Sequence, residues 1–522
     1  MLSAKLLSLL GATAAAIEFD QLAENHVVGD DASNYCPQDT MFCARTREFK
    51  IDQAAHDTEL SYSVNPRSVI ARDGYIKAKL SMDCSESGYL AQELDLTLNF
   101  FQDGIMRAEI DTPSHSRFQI SKEGLPVVWD QLHAIEDLDS KFEMSEKGFS
   151  VKGLTREGSQ DRYDYYVNFA PFEISQYTNE WLSSKTAGQL YFEDSRGASS
   201  SGEGACFDAL RSRALERSGL DIYSDGDDEV KQSVSWSFLL PGEEQTLYGI
   251  PEREDTLALK TTTGGEPYYI YATDHLHAPN EPGPLYGSVP YVMGLSEHTA
   301  TSFLWVNSAK TTVDVDQVAK KDKKAMQVTF SSEANVLEFF MFTSGEQSKK
   351  HETNRVKQVN KDLATISGFA PMPLLHTLGF HFCKWAPVSA DMLMERNRNF
   401  TDYGFPIDVL WSDIEWAQQY DDPAGYEYFK FNPKNFTETQ IEQMNSEIEA
   451  AGRRIVVIVD PHIKAADDYF VYSEGMDLQN QDQPAGNVSN IFIRAGADSP
   501  TPYYGNCWPG NSTWIDFLNE NA

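Results

Sequence analysis

"VLWSDIEW", Val409 to Trp416, is an apolar run that delivers two carboxylates and two tryptophans together. An indole beside a carboxylate is what a pyranose ring needs: an apolar face against its C–H surface and acceptors for its hydroxyls. The surrounding pattern alternates strand and helix. Leu374 to Trp385 reads as a strand, Ser389 to Phe400 as a helix, Ile407 to Glu415 as a strand and Thr437 to Ala451 as a helix. The last carries its own punctuation, with Thr437 and Gln440 spaced as a capping box, Ile441, Met444, Ile448 and Ala451 as the apolar stripe, and Gly452 as terminator. "RRIVVIVDPHI", Arg453 to Ile463, is nearly continuous in apolar residues, as a parallel strand covered on both faces should be. Three strand–helix steps in succession predict the N-terminal part of a (β/α)8 TIM barrel.

Side chains two apart on a strand share a face. His381, Cys383 and Trp385 therefore line up, as do Trp411, Asp413 and Glu415, and Ile458, Asp460 and His462. The polar and aromatic members fall at the carboxyl ends, where a barrel opens its loops and builds its site. Each of Asp413, Asp460 and His462 alone reads as well as a structural group satisfied by a neighbour. Their coincidence at three successive strand ends points to a site.

From about residue 48 to 370 the period is two. Leu94, Leu96, Leu98 and Phe100 alternate with polar residues, Asp103-Gly104 follows, and Met106, Ala108 and Ile110 alternate again, which predicts a hairpin. "VLEFFMF", Val336 to Phe342, and Tyr268 to Tyr271 add further strands, and a large antiparallel β-sandwich follows. The Ser, Gly and acid-rich stretch near 194–230 reads as a surface insertion.

The 522 residues, 41% hydrophobic and 12% aromatic, suffice for two filled cores. A formal net charge of −36 argues against nucleic acid or an anionic membrane as partner and favours a neutral one. Lys5 and the apolar stretch from Leu6 to Ala16 read as a secretory signal over residues 1–16, and no later run is long enough to span a bilayer. Cys36 and Cys43 flank a short loop whose closure by a disulfide is worth roughly 2.5 kcal/mol. Cys84, Cys206, Cys383 and Cys507 show no zinc-site spacing, and no metal is expected. Glycosylation acceptors occur at Asn399, Asn435, Asn487 and Asn511.

Longer stretches add a family resemblance. "LYGIPEREDTLALKTTTGGEPYYIYATD" (Leu247 to Asp274), "LYGSVP" (Leu285 to Pro290), "GFHFCKW" (Gly379 to Trp385), "LWSDIEW", "VVIVDPHIK" (Val456 to Lys464) and "NCWPGNSTWIDF" (Asn506 to Phe517) occur in one order along the chain. They resemble glycoside hydrolase family 31, and within it the α-glucosidases of the endoplasmic reticulum. The resemblance implies a galactose-mutarotase-like β-sandwich over 17–370, the beginning of a glycosidase barrel over 371–522, and retaining cleavage of α-glucosides of N-glycans. It implies no cofactor, a lumenal location in the endoplasmic reticulum and a possible glucosidase β subunit as partner. By position, Asp413 matches the carboxylate that holds hydroxyls of the terminal glucose, Trp385 and Trp508 match aromatic walls of that pocket, and Asp274 matches an acid on a sandwich loop. His462 falls on the third-strand motif in a supporting role. Three positions depart from the pattern: Lys384-Trp385-Ala386-Pro387 stands where R-W-N-Y is usual, Arg253 where His is usual, and Trp416 where His is usual.

Retaining hydrolysis uses two carboxyl groups about 5 Å apart. The family's nucleophile lies in a W-N-D-M-N-E-type stretch, and these 522 residues contain none. The expectation is therefore an N-terminal portion of an α-glucosidase, without its nucleophile and acid/base. The alternative is a truncated, inactive paralogue that binds glycans or the β subunit.

Overall fold

Asp103 and Gly104 take left-handed backbone, φ 71° and 74°, and turn the strand Glu93–Phe100 into Met106–Asp111. Only glycine fits the second position, because a Cβ there would lie 2.2 Å from the Tyr163 ring. This hairpin sits inside the first of two units, Met1–Phe369 and Ala370–Ala522. The structure, a computed structural model, describes residues 36, 41–56, 61–82, 93–115, 117–120, 132–179, 181–187, 190–193, 232–242, 245–274, 283–320, 323–345, 354–419, 425–479, 491–496, 499, 501–519 and 522. The expected leader 1–16, the insertion near 194–230, Cys84, Cys206 and Asn487 lie outside the described residues.

The first unit is an antiparallel sandwich. One nine-stranded sheet runs in the order Tyr62–Val64, Tyr75–Met82, Glu93–Phe100, Met106–Asp111, Leu337–Ser344, Ala300–Trp305, Tyr291–Leu295 and Thr246–Gly249, with Ile70–Arg72 beside the second. A ten-stranded sheet runs from Tyr268–Ile270 through Thr311–Lys320, Lys323–Ser332 and Val234–Pro241 to Phe142–Met144. The alternation along Glu93–Phe100 becomes alternating burial, and its leucines join Phe339 and Met341 against Trp236, Phe238 and Phe330 of the other sheet. Phe238 stacks on Phe303 at 4.4 Å and meets the edge of Phe339 at 4.9 Å, so the inner faces interlock through aromatic rings.

Two longer helices lie within this β half, and the first of them carries no amphipathic signal. Met41–His56 buries Phe42 and Phe49 but also Arg45, Arg47 and Glu48; Arg47 Nη2 lies 2.6 Å from Asp314 Oδ1. Cys36 and Cys43 are disulfide-bonded, tying the preceding chain to its first turn. Arg355–Ser367 starts at the Asn354 cap and is clasped by a buried pair, Arg156 to Asp362, at 2.6 and 2.7 Å.

In the second unit His381–Phe382, Val409–Ser412 and Arg454–Val457 form a parallel sheet in that order. Helices Ala390–Asp402 and Glu438–Ala450 follow the first two strands, capped by Ser389 and by the Thr437–Gln440 capping box. Leu393, Met394, Leu410, Trp416, Met444 and Ile448 make this unit's own core.

Three expectations are corrected here. Leu374 to Trp385 is not one strand: Leu375–Leu378 is a 3-10 turn, only His381–Phe382 pairs, and Leu374 and Leu375 are exposed. Proline at 371 and 373 supplies no N–H for pairing, so hydrophobicity there does not mean sheet. The strand expected to reach Glu415 stops at Ser412, where Asp413 caps a short 3-10 helix, Ile414–Ala417. The third strand ends at Val457. His462 belongs to a separate strand, His462–Lys464, antiparallel to Gly510–Trp514, which in turn pairs with Gly505–Cys507. Pro461 breaks the run, because it cannot donate to a ladder and disfavours helical backbone at the preceding residue.

Candidate functional site

The carboxyl edge of the three-stranded sheet gathers the chemistry. Asp413 Oδ1 accepts the Ile414 N–H at 2.8 Å, which fixes the carboxylate over its own short helix. The Cys383 thiol, from beyond the first strand, donates to Asp413 Oδ2 at 3.6 Å. Partial burial and the Asp413 charge push the Cys383 thiol up from its ordinary value, so it is a neutral donor at neutral pH. Glu415 is raised as well, first by burial and then by Asp413, and its Oε2 finds no hydrogen-bond partner among the described residues.

The two tryptophans of the motif diverge. Trp411 Nε1 donates to His381 Nδ1 at 2.9 Å across the first and second strands. Trp416 is buried at 3% exposure and donates to the Ile458 carbonyl at 2.8 Å, so it is core and no wall for a ligand. The residue that departs from the family's His is thus absorbed by packing.

A second cluster follows the third strand. Asp460 Oδ2 accepts from the Tyr428 hydroxyl at 2.6 Å and from Trp508 Nε1 at 3.0 Å. Burial and the bond to Asp460 hold Tyr428 far above the usual phenol range, so it stays a donor. His462, 2% exposed, lies 3.1 Å through Nδ1 from Cys507 Sγ; burial lowers the imidazole and raises the thiol, leaving both neutral at pH 7. Its ring meets Tyr428 and Trp508 edge-on at 5.4 and 6.4 Å. Paired Ser412 and Val457, with Ile458 N bonded to Ser412 O at 3.1 Å, place Asp413 and the Asp460 loop on neighbouring strand ends.

Of the residues expected from sequence, the second unit carries Asp413, Trp508 and His462 in these clusters, and Trp385 stands 75% exposed two residues beyond Cys383. Asp274 belongs to the first unit, exposed, with Oδ1 accepting from Tyr286 at 2.6 Å. Asn399 and Asn511 are exposed, while Asn435 is half-buried. Tyr428 had no signal in the sequence, because it lies in irregular chain between helices and only its hydroxyl reaches the site. Among the described residues no group of three His, Cys, Asp or Glu side chains is arranged to hold a metal, and no helix is long and apolar enough to cross a membrane.

Residues 370–522 match the TIM-barrel domain of glycosyl hydrolases family 31, and residues 95–314 match that family's N-terminal galactose mutarotase-like domain. The chain belongs to glycoside hydrolase family 31. Its architecture is the family's sandwich followed by barrel strands. It is 28% identical over 512 residues to a probable glucan 1,3-alpha-glucosidase of Arabidopsis thaliana, covering 93% of this chain and 50% of the relative. It is 32% identical over 313 residues to neutral alpha-glucosidase AB of Mus musculus, covering 57% of this chain and 30% of the relative. Among solved structures, the ER glucosidase II heterodimer of catalytic subunit and regulatory-subunit binding domain superposes with a TM-score of 0.74 at 24% identity, covering 92% of this chain and 51% of that one. The chain thus spans about half or less of the length of these relatives.

Proposed function

We propose that this family 31 chain carries the glucose-holding part of an α-glucosidase that trims α-linked glucose from N-glycans in the endoplasmic reticulum lumen. The observation that carries the reading is Asp413, fixed by its own helix cap at the carboxyl end of the second parallel strand beside the loop that bears Asp460. A carboxylate held in this way accepts hydroxyl donors without reorganising. Trp508 and Trp385 supply apolar faces for the sugar ring. The relatives support the location and a glucosidase II β-type subunit as partner.

One observation favours a second reading. Asp460 is held through Oδ2 by the Tyr428 and Trp508 donors, the arrangement of a structural carboxylate rather than of an acid or nucleophile paired with Asp413. On that reading the 522 residues bind glycans or a β subunit without cleaving. The test reads the native transcript past the Ala522 codon and assays its product on p-nitrophenyl α-D-glucoside. Turnover that falls about a hundredfold in Asp413→Asn, as loss of a charge-assisted contact implies, supports the enzyme. A stop codon directly after Ala522 with no turnover overturns it in favour of binding.

A further inference from the structure

Trp508 stands at the tip of a two-residue hairpin turn, between the paired residues Cys507 and Gly510, with 48% of its surface exposed. An indole there has two rotatable bonds and little packing to hold it. What stops it is polar: Nε1 donates to Asp460 Oδ2 at 3.0 Å, and the ring edge rests against His462. Asp460 is itself held from two sides. Pro461 restricts its backbone, and the Tyr428 hydroxyl donates to the same oxygen at 2.6 Å. Tyr428 is 1% exposed, packs its ring near Trp416 and His462, and its carbonyl accepts the Tyr469 hydroxyl at 2.7 Å. Order therefore passes from the core through Tyr428 and Asp460 to an exposed ring.

We propose that Asp460 is a positioning residue, whose carboxylate, held by Tyr428, fixes the rotation of the Trp508 indole that walls the sugar site. This rests on the reading of Trp508 as a sugar-stacking wall. A fixed ring loses no rotamer freedom when a sugar stacks on it, and a swinging one does. Asp460 thus acts on binding without touching the ligand, and its acceptor oxygen, rather than its acidity, is what matters. Asn, which keeps a carbonyl oxygen in place, substitutes for it; Ala does not.

The test uses the full chain with 15N-labelled tryptophan indoles, the Trp508 Nε1–H signal being assigned by its loss in Trp508→Phe. In Asp460→Ala that signal is expected to move upfield as its acceptor disappears, and maltose binding to weaken about tenfold. Asp460→Asn is expected to bind within about threefold of wild type. If Asp460→Ala does not fold, Tyr428→Phe decides, and a shifted Trp508 signal with weaker maltose binding is expected. An unmoved signal or unchanged maltose affinity in the folded variant overturns the proposal. If the wild-type chain binds no maltose while Asp460→Ala still moves the signal, the positioning stands and the sugar reading alone is lost.

Discussion

Asp413 owes its aim to the backbone it caps. Its Oδ1 is committed to Ile414, and Oδ2 faces a neutral thiol rather than a cation, which leaves acceptor capacity for a neutral ligand. Two residues on, Glu415 meets the opposite circumstance, burial beside a like charge. Its folded-state pKa is raised, so the folded form holds the proton more tightly than the unfolded chain does. Stability from that group is full below the unfolded glutamate value, about 4.3, and is lost as pH rises through the higher folded value. Glu415→Gln is therefore expected to raise the melting temperature of the second unit at pH 7 and to leave it unchanged near pH 4, measured by thermal unfolding at both. Side-chain spacing in the sequence singled out Asp413 as a candidate but set Trp411, Asp413 and Glu415 on one strand face. The turn into a 3-10 helix after Ser412 breaks that alternation, and no residue in the run announces it.

Elements closed by local bonds were the most legible. The capping box on Glu438–Ala450 could be read from Thr437 and Gln440 because its partners lie three residues apart. Thr437→Ala is expected to cost about 1 kcal/mol in urea unfolding. The hairpin at Asp103-Gly104 was legible for the same reason. Gly104→Ala adds both a strained φ of 74° and a methyl against Tyr163, and is expected to cost about 2 kcal/mol. What the sequence hid was decided by distant partners. Arg45, Arg47 and Glu48 make the helix Met41–His56 look polar all round, and their burial depends on residues such as Asp314 some 267 positions away. Likewise the apolar run Arg453 to Ile463 reads as one strand, although Pro461 divides it between a parallel and an antiparallel sheet.

At the scale of the chain, each unit has a hydrophobic core built from its own residues. Two cores with separate contacts are expected to unfold in separable steps. Phe238→Ala, which removes a ring stacked inside the sandwich, is expected to shift one calorimetric transition by about 3–5 kcal/mol of stability, while Thr437→Ala shifts the other. The division into sandwich and barrel was visible in the change of period from two to strand–helix alternation, and the excess of acid, −36, already directed attention to neutral ligands. The pairings of Cys383 with Asp413 and of Trp508 with Asp460 were not visible, since each requires knowing which side chains meet. The proposed glucoside site rests on the fixed carboxylate of Asp413, and maltose titrated into the full chain by calorimetry tests it most directly. Wild type is expected to bind at millimolar concentration and Asp413→Asn at least about tenfold more weakly. Equal affinity in the two proteins, or none in wild type, would contradict the assignment.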